Sequence, residues 1–171
     1  MFARHFIDSL DFACKGSEIQ GEVPLTEMHR LLDKLAVPEA CPELGRRGKI
    51  SYVVRGFQDR HGRPMLEVAL TGLCQLRCQR CLDGFAYPIQ LVSRLLLVQE
   101  SELDEFSDEG DEQDSIPADN RLDVLALLEE EILLSLPFAP AHPSGACQLV
   151  AEGLGRSEKN PFAVLAGLKN K

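Results

Sequence analysis

Leu66, Val68, Leu70, Gly72, Cys74, Leu76 and Cys78 share one parity of the chain, while Glu67, Thr71, Gln75, Arg77 and Gln79 dominate the other. Alternation with period two places successive side chains on opposite faces of an extended backbone, so this segment reads as a half-buried strand, with Cys74 facing the same way as Leu70 and Leu76. Its neighbours have the same character. KISYVVRGF, from Lys49 to Phe57, is rich in β-branched and aromatic residues and runs into QDRHGR, where Gly62 suits a hairpin turn. From Ala86 to Gln99, Tyr87, Ile89, Leu91, Leu95 and Leu97 line one face. Three long strands in succession joined by turns imply an antiparallel meander. Upstream, SEIQGEVPL alternates Ile19 with Val23 and reads as a shorter strand. LTEMHRLLDKL then sets Leu25, Met28, Leu32 and Leu35 at helical spacing, with Thr26 as cap and Pro38 and Pro42 closing the helix.

Beyond the strands, LDVLALLEEEILLSLP carries Val124, Leu127, Leu128, Ile132 and Leu136 at helical intervals, with Asp123 as cap and Pro137 as terminator. So apolar a helix must be covered over most of its circumference. At 100° per residue Glu131 falls inside the apolar arc, between Leu127 and Val124, whereas Glu129 and Glu130 point away. Buried, Glu131 serves a nearby Arg or backbone group rather than acid chemistry. The fold class is therefore α+β: an antiparallel β-meander sheet packed by one long buried helix and short flanking helices. With 171 residues and 44% apolar composition, the chain suits a single domain over 1–171 with a real core. Ten Asp or Glu and no Lys or Arg lie between Glu100 and Asp119, which marks 100–119 as a solvated, disordered acidic loop. NPFAVLAGLKNK reads as a short amphipathic tail helix over 160–171. Neither the N-terminal MFARHFIDSLDF nor any later run has the apolar length of a signal peptide or membrane span, so a soluble, cytoplasmic protein is expected, with no membrane partner.

Three of the six cysteines, Cys74, Cys78 and Cys81, fall within eight positions. In a reducing compartment such thiols are packed or bind metal rather than pair as disulfides. Cys78-Gln79-Arg80-Cys81 has the Cys-x-x-Cys spacing that turns two thiolates onto one ion. A structural zinc site needs four N or S donors, and AHPSGAC, after the apolar helix, supplies His142 and Cys147. Cys78, Cys81, His142 and Cys147 would complete a zinc-ribbon-like Cys3His site. Cys74 is the other candidate for the position given to His142, but its strand parity favours a core thiol. Thioredoxin-like redox chemistry ranks below metal, because that chemistry uses a Cys pair opening a helix and this pair ends a strand. Cys14 and Cys41 read as packed thiols. His5, His29 and His61 have no partners at ligand or triad spacing, and phosphate loops, nucleophile elbows and His-Glu metalloprotease motifs are absent, which argues against an enzyme.

The net charge of −9 would argue against nucleic acid, yet it is concentrated in the acidic segment. Nine Lys or Arg against three acidic residues between Arg46 and Arg94 give that block a local net charge of +6. Arg46, Arg47, Lys49, Arg55, Arg77 and Arg80 are its candidate phosphate contacts, with plain solubility an equal reading from charge alone. Tyr52, Phe57, Phe85 and Tyr87 are the candidate stacking aromatics, too few to favour base readout over backbone contact.

CQRCLDGFAYPI, LDVLALLEEEILLSLPFAPAHPSGAC and NPFAVLAGLK, in that order and separated by an acidic segment, resemble the bacterial YceD family of large ribosomal RNA subunit accumulation proteins. The likeness runs from about Gly72 to Lys169, and GEVPLTEMHRLL fits the family's usual start. It covers Cys78, Arg80, Cys81, His142 and Cys147, with Cys74 an addition. The resemblance implies a non-catalytic protein needed for synthesis, processing or stability of 23S ribosomal RNA, binding metal and nucleic acid through its cysteines. The partner is then ribosomal RNA or a large-subunit precursor, met by a basic sheet beside the cysteine turn. The alternative is an adaptor whose acidic loop holds a basic ribosomal protein.

Overall fold

The computed structural model describes residues 5–35, 48–99, 101, 114–143, 146 and 147. Strands β2 (Glu18–Pro24), β3 (Lys49–Gln58), β4 (Pro64–Arg77), β5 (Gly84–Val98) and β6 (Asp114–Pro117) form one five-stranded sheet in that order. The first four pair antiparallel as a meander, in a register that sets Val54 beside Val68 and Leu70 beside Leu91. Along β4 the expected parity holds: Leu66, Val68, Leu70, Cys74 and Leu76 are all buried. Two short strands, β1 (Phe6–Ile7) and β7 (Leu122–Asp123), pair separately.

Strand β6 corrects the expectation of a solvated loop as far as residue 119. Asp114–Pro117 pairs parallel with Leu95–Val98, covering the edge of β5 that the meander leaves open. Residues 100 and 102–113 lie outside the described residues, as do Pro38, Cys41, Pro42, Arg46, Arg47 and the tail helix expected over 160–171.

Three α-helices, α1 (Ser9–Cys14), α2 (His29–Leu32) and α3 (Val124–Ser135), are described. Their apolar residues join the inner face of the sheet in one core that includes Phe12, Leu31, Tyr52, Leu70, Leu128 and Ile132. Helix α1 lies against bare backbone on β3: a Cβ at Gly56 would stand 2.4 Å from the carbonyl oxygen of Phe12. Asp123 caps α3, accepting from the N–H groups of Leu125 and Ala126, as its position predicts.

The helix expected from Leu25 to Leu35 is broken. A 3₁₀ turn, Leu25–Glu27, precedes the single turn of α2, and Thr26 makes no capping bond. Cooperative helix formation is marginal for so short a segment, so packing decides its shape. The missing acceptor comes from across the core: the Leu31 N–H donates to Glu129 Oε1 of α3 at 3.0 Å. Glu129 is therefore buried, 8% exposed, contrary to its place on the helical wheel, while Glu131 is buried as expected. An apolar arc drawn from α3 alone omits the polar groups that α2 presents to it.

On the outer sheet face Glu18, Arg55, Glu67 and Arg94 form a cross-strand ion ladder, with contacts of 2.7, 3.7 and 2.9 Å in turn. Met65, Leu96 and Val98 form a second apolar cluster on that face. No helix among the described residues is long and apolar enough to cross a membrane.

Candidate metal centre

Strand β4 ends at Arg77, and Cys78 to Asp83 reverse the chain into β5. The turn is closed from both sides: the Cys78 N–H donates to the Asp83 carbonyl and the Leu82 N–H to the Cys78 carbonyl, each at 2.9 Å. The Arg77 Nε–H donates to the Leu82 carbonyl at 3.0 Å. Leu82 sits at φ 66°, in the left-handed region, which costs a side-chain-bearing residue about 1–2 kcal/mol. That backbone bend carries Cys78 and Cys81 inward. The Arg80 N–H, 3.4 Å from Cys78 Sγ, points at the sulfur.

The other two donors arrive from the far side of the core. After α3 the backbone turns extended at Leu136, and Pro137, Pro140 and Pro143 fix φ at intervals so that no helix resumes. The Gln79 N–H donates to the Pro140 carbonyl at 2.8 Å, and the Arg80 guanidinium donates to the His142 carbonyl. Both bonds stitch the post-helix segment to the cysteine turn. His142 Nδ1 then stands 3.4 Å from Cys81 Sγ and 3.6 Å from Cys147 Sγ, and Cys78 Sγ is 3.6 Å from Cys147 Sγ. All four donor atoms lie within 4.8 Å of one another, so the cluster could hold a metal ion. The sulfurs are well beyond the roughly 2.0 Å of a disulfide, and all are free thiols. Phe85 packs its ring on the imidazole, centroid to centroid 4.8 Å.

The thiols do not behave alike. Burial works to raise the Cys78 pKa, but hydrogen bonding from the backbone of Cys81, His142 and Arg80 and from the His142 ring prevails and holds it at about 5. At Cys81 the Asp83 backbone N–H favours the thiolate, yet burial, hydrogen bonding to Cys78 and Cys147, and repulsion from Cys147 push the pKa up to about 11. The pocket thus accepts one negative charge readily and resists a second, a conflict that a bound cation removes.

The structure brings together the four residues that the sequence pattern groups, Cys78, Cys81, His142 and Cys147. Cys74 is a core thiol, and burial pushes its pKa to about 11. Cys14, expected to be packed, is exposed instead, with the Gln58 side chain 3.6 Å from its sulfur. His5, His29 and His61 are exposed. Among the candidate phosphate contacts, Lys49 pairs with Glu22 at 3.0 Å and Arg55 with Glu18 and Glu67, whereas Arg77 and Arg80 stand on the cysteine turn. Of the stacking aromatics, Tyr52 is buried and Phe57, Phe85 and Tyr87 pack against the apolar clusters. The fully exposed aromatic among the described residues is Phe138, which sequence reading passed over. Its only sequence signal was its place directly after the helix-ending Pro137.

Residues 66–169 match the family model described as large ribosomal RNA subunit accumulation protein YceD. A protein of that name from Haemophilus influenzae is 30% identical over 104 residues, covering 56% of this chain and 60% of the relative. The chain thus spans less than two thirds of that curated relative's length. No solved structure matches it. All four clustered residues, with Arg77, Arg80 and α3, fall inside the matched span.

Proposed function

This chain belongs to the YceD family of large ribosomal RNA subunit accumulation proteins, and from that membership we propose that it is a non-enzymatic cytoplasmic factor in the synthesis, processing or stability of 23S ribosomal RNA. It acts on ribosomal RNA or a large-subunit precursor, with a zinc ion holding the RNA-facing end of the sheet in shape. The observation that carries this reading is the Cys3His cluster with Arg77 and Arg80 on the same turn, all within the family match.

The donor set supports zinc. Zn–S bonds of about 2.3 Å and Zn–N bonds of about 2.0–2.1 Å set tetrahedral edges of about 3.8 Å between sulfurs and about 3.6 Å between sulfur and nitrogen. The 3.6 Å S···S and 3.4–3.6 Å S···N separations are close to those edges. Three soft thiols with one imidazole also favour zinc over oxygen-seeking cations. When bound, the ion cross-links the β4–β5 turn to the segment after α3.

Lys49 and Arg55 already face carboxylates, which lowers what each can give to a phosphate. Phosphate contact therefore falls mainly on Arg77 and Arg80, with Lys49, Arg55, Arg46 and Arg47 adding to the field of the basic block. In a filter-binding titration on a 23S ribosomal RNA fragment, Arg77→Glu with Arg80→Glu weakens binding and reduces the log–log salt slope by about 1.4–1.8 for two lost contacts. Arg80 also holds the His142 carbonyl, so metal content is measured on the same sample. Unchanged affinity and slope in a variant that retains its metal would refute this mode of RNA contact. The adaptor alternative rests on the charge of 100–119. Deleting residues 100–113 abolishes capture of a basic ribosomal protein if the adaptor reading holds, and leaves RNA binding intact if ours does.

A further inference from the structure

Beside the cysteine turn lies a cleft of about 480 Å³, within the size range of small-ligand sites. Its floor is apolar, built from Leu76 of β4 with Leu133 and Leu136 at the end of α3. Two cations, Lys34 and Arg77, stand at its rim, and both are exposed. Neither forms an ion pair among the described residues, unlike Lys49, Arg55 and Arg94 on the sheet face. Phe138 forms the lip, with its ring wholly in solvent.

We propose that this cleft receives an unpaired RNA nucleotide, its base stacked on Phe138 and its phosphate held by Lys34 and Arg77. The inference rests on the RNA-binding reading above and adds to it a site and a preference for unpaired RNA. An apolar peptide side chain would fill the floor but leave two cations without counter-charge. A nucleotide offers a flat π-face to the aromatic lip and an anion to the rim, which answers both features. Gln79 also lines the cleft and supplies an amide within it.

The lip is held in place before any ligand arrives. Pro137 precedes Phe138, and Pro140 follows two residues later. On one side the Leu136 N–H is bonded to Ile132 of α3, and on the other the Pro140 carbonyl accepts from Gln79. A ring on so restrained a segment loses little conformational freedom on stacking. None of the described residues covers the ring, so its replacement leaves the described core untouched.

The chain contains no tryptophan, so Phe138→Trp installs a single fluorophore at the lip. The zinc-loaded 171-residue chain is titrated with a ten-nucleotide mixed-sequence RNA strand, with the same backbone made abasic, and with the RNA duplex. Phe138→Trp emission falls with the single strand and not with the abasic strand or the duplex. Phe138→Ala weakens single-strand binding by about 5- to 150-fold, the range for loss of one base–aromatic stack, and leaves abasic binding unchanged. Lys34→Gln with Arg77→Gln reduces the single-strand salt slope by about 1.4. If the wild-type protein binds RNA but Phe138→Ala matches it and Phe138→Trp emission is unmoved, the cleft assignment fails while RNA binding stands. If the wild type binds no RNA, including the 23S fragment, both readings fail together. Quenching by an apolar peptide but not by RNA overturns the nucleotide assignment in favour of protein docking.

Discussion

Cys147→Ser is the perturbation that most directly tests the proposed zinc centre. Cys147 Sγ lies 3.6 Å from both Cys78 Sγ and His142 Nδ1, so its removal takes away one of the four donors and opens every edge of the tetrahedron that meets at it. Structural zinc sites of this type bind with about 10–16 kcal/mol at neutral pH. Shared evenly over four donors, one ligand is worth about 2.5–4 kcal/mol, or about 10²- to 10³-fold in affinity. The control is Cys74→Ser, which alters a buried thiol outside the donor set. It costs fold stability through an extra buried hydroxyl, at about 1–3 kcal/mol, but leaves metal affinity unchanged. Competition against a chromophoric chelator, on reduced protein at constant pH, reads the affinity. Melting reads the linkage: free zinc at 100 times its dissociation constant adds about 2.7 kcal/mol, about 5–11 °C in Tm for a chain of this size. Wild type and Cys74→Ser show that rise, and Cys147→Ser at the same zinc concentration shows little of it. A wild-type protein that takes up no zinc with its thiols reduced, or a Cys147→Ser variant that competes as well as wild type, refutes the assignment.

Three other outcomes follow from particular contacts. Glu129→Leu removes the acceptor of the buried Leu31 N–H and destabilises the fold by about 1–3 kcal/mol in urea unfolding, whereas Glu129→Gln keeps an acceptor and costs less. Asp59 titrates at about 2 rather than 3.8 in the folded chain: burial opposes this, but hydrogen bonds from the Arg63 side chain and from the backbone N–H groups of Arg63 and His61 prevail. Its contribution is present above the ordinary value and lost as pH falls through about 2, so the stability difference between wild type and Asp59→Asn shrinks between about pH 4 and 2. Chelation of the zinc-loaded protein speeds amide exchange at Gln79 and Ala146, while Val54 and Leu70 in the sheet keep their protection, because the core packs without the site.

The meander was legible because period-two alternation in β3, β4 and β5 is a local property that the folded sheet only had to accept. Residue parity put Cys74 on the buried face, and the Cys-x-x-Cys spacing put Cys78 and Cys81 on the turn after β4; Cys74 is buried in the core, and the other two cluster with His142 and Cys147. Asp123 was legible for the same reason, since its cap needs only the next three residues. What failed was whatever depended on a partner far along the chain. Strand β6 sits among acidic residues whose charge suggests open solvent, yet the unpaired edge of β5 offers four residues a ladder. Helix α2 looked longer from spacing than it is, and its cap is Glu129, 98 residues away. Cys14 was misjudged because free cysteine is usually buried, and the end of a six-residue surface helix is not a core position.

The cysteine site shows when a long-range contact can be read in advance. Cys78 and Cys147 are 69 residues apart, farther than the concealed partners Leu95 and Asp114 of β5 and β6, yet their chemistry is incomplete separately. Two thiols on a tight turn call for two more donors, and few segments of the chain offer a Cys with a His nearby. Stoichiometry thus did the work that periodicity does in strands. Phe138 and Lys34 carry no such requirement, since an exposed ring and an exposed amine are each complete in isolation. Their meaning arises only where the end of α3, the segment after α2 and the end of β4 converge on one cleft, a convergence marked by the Leu35–Leu76 bridge and by the bond from Gln79 to Pro140. The metal cluster and the cleft therefore share one framework, in which the contacts that bring His142 to the sulfurs also fix the segment bearing Phe138.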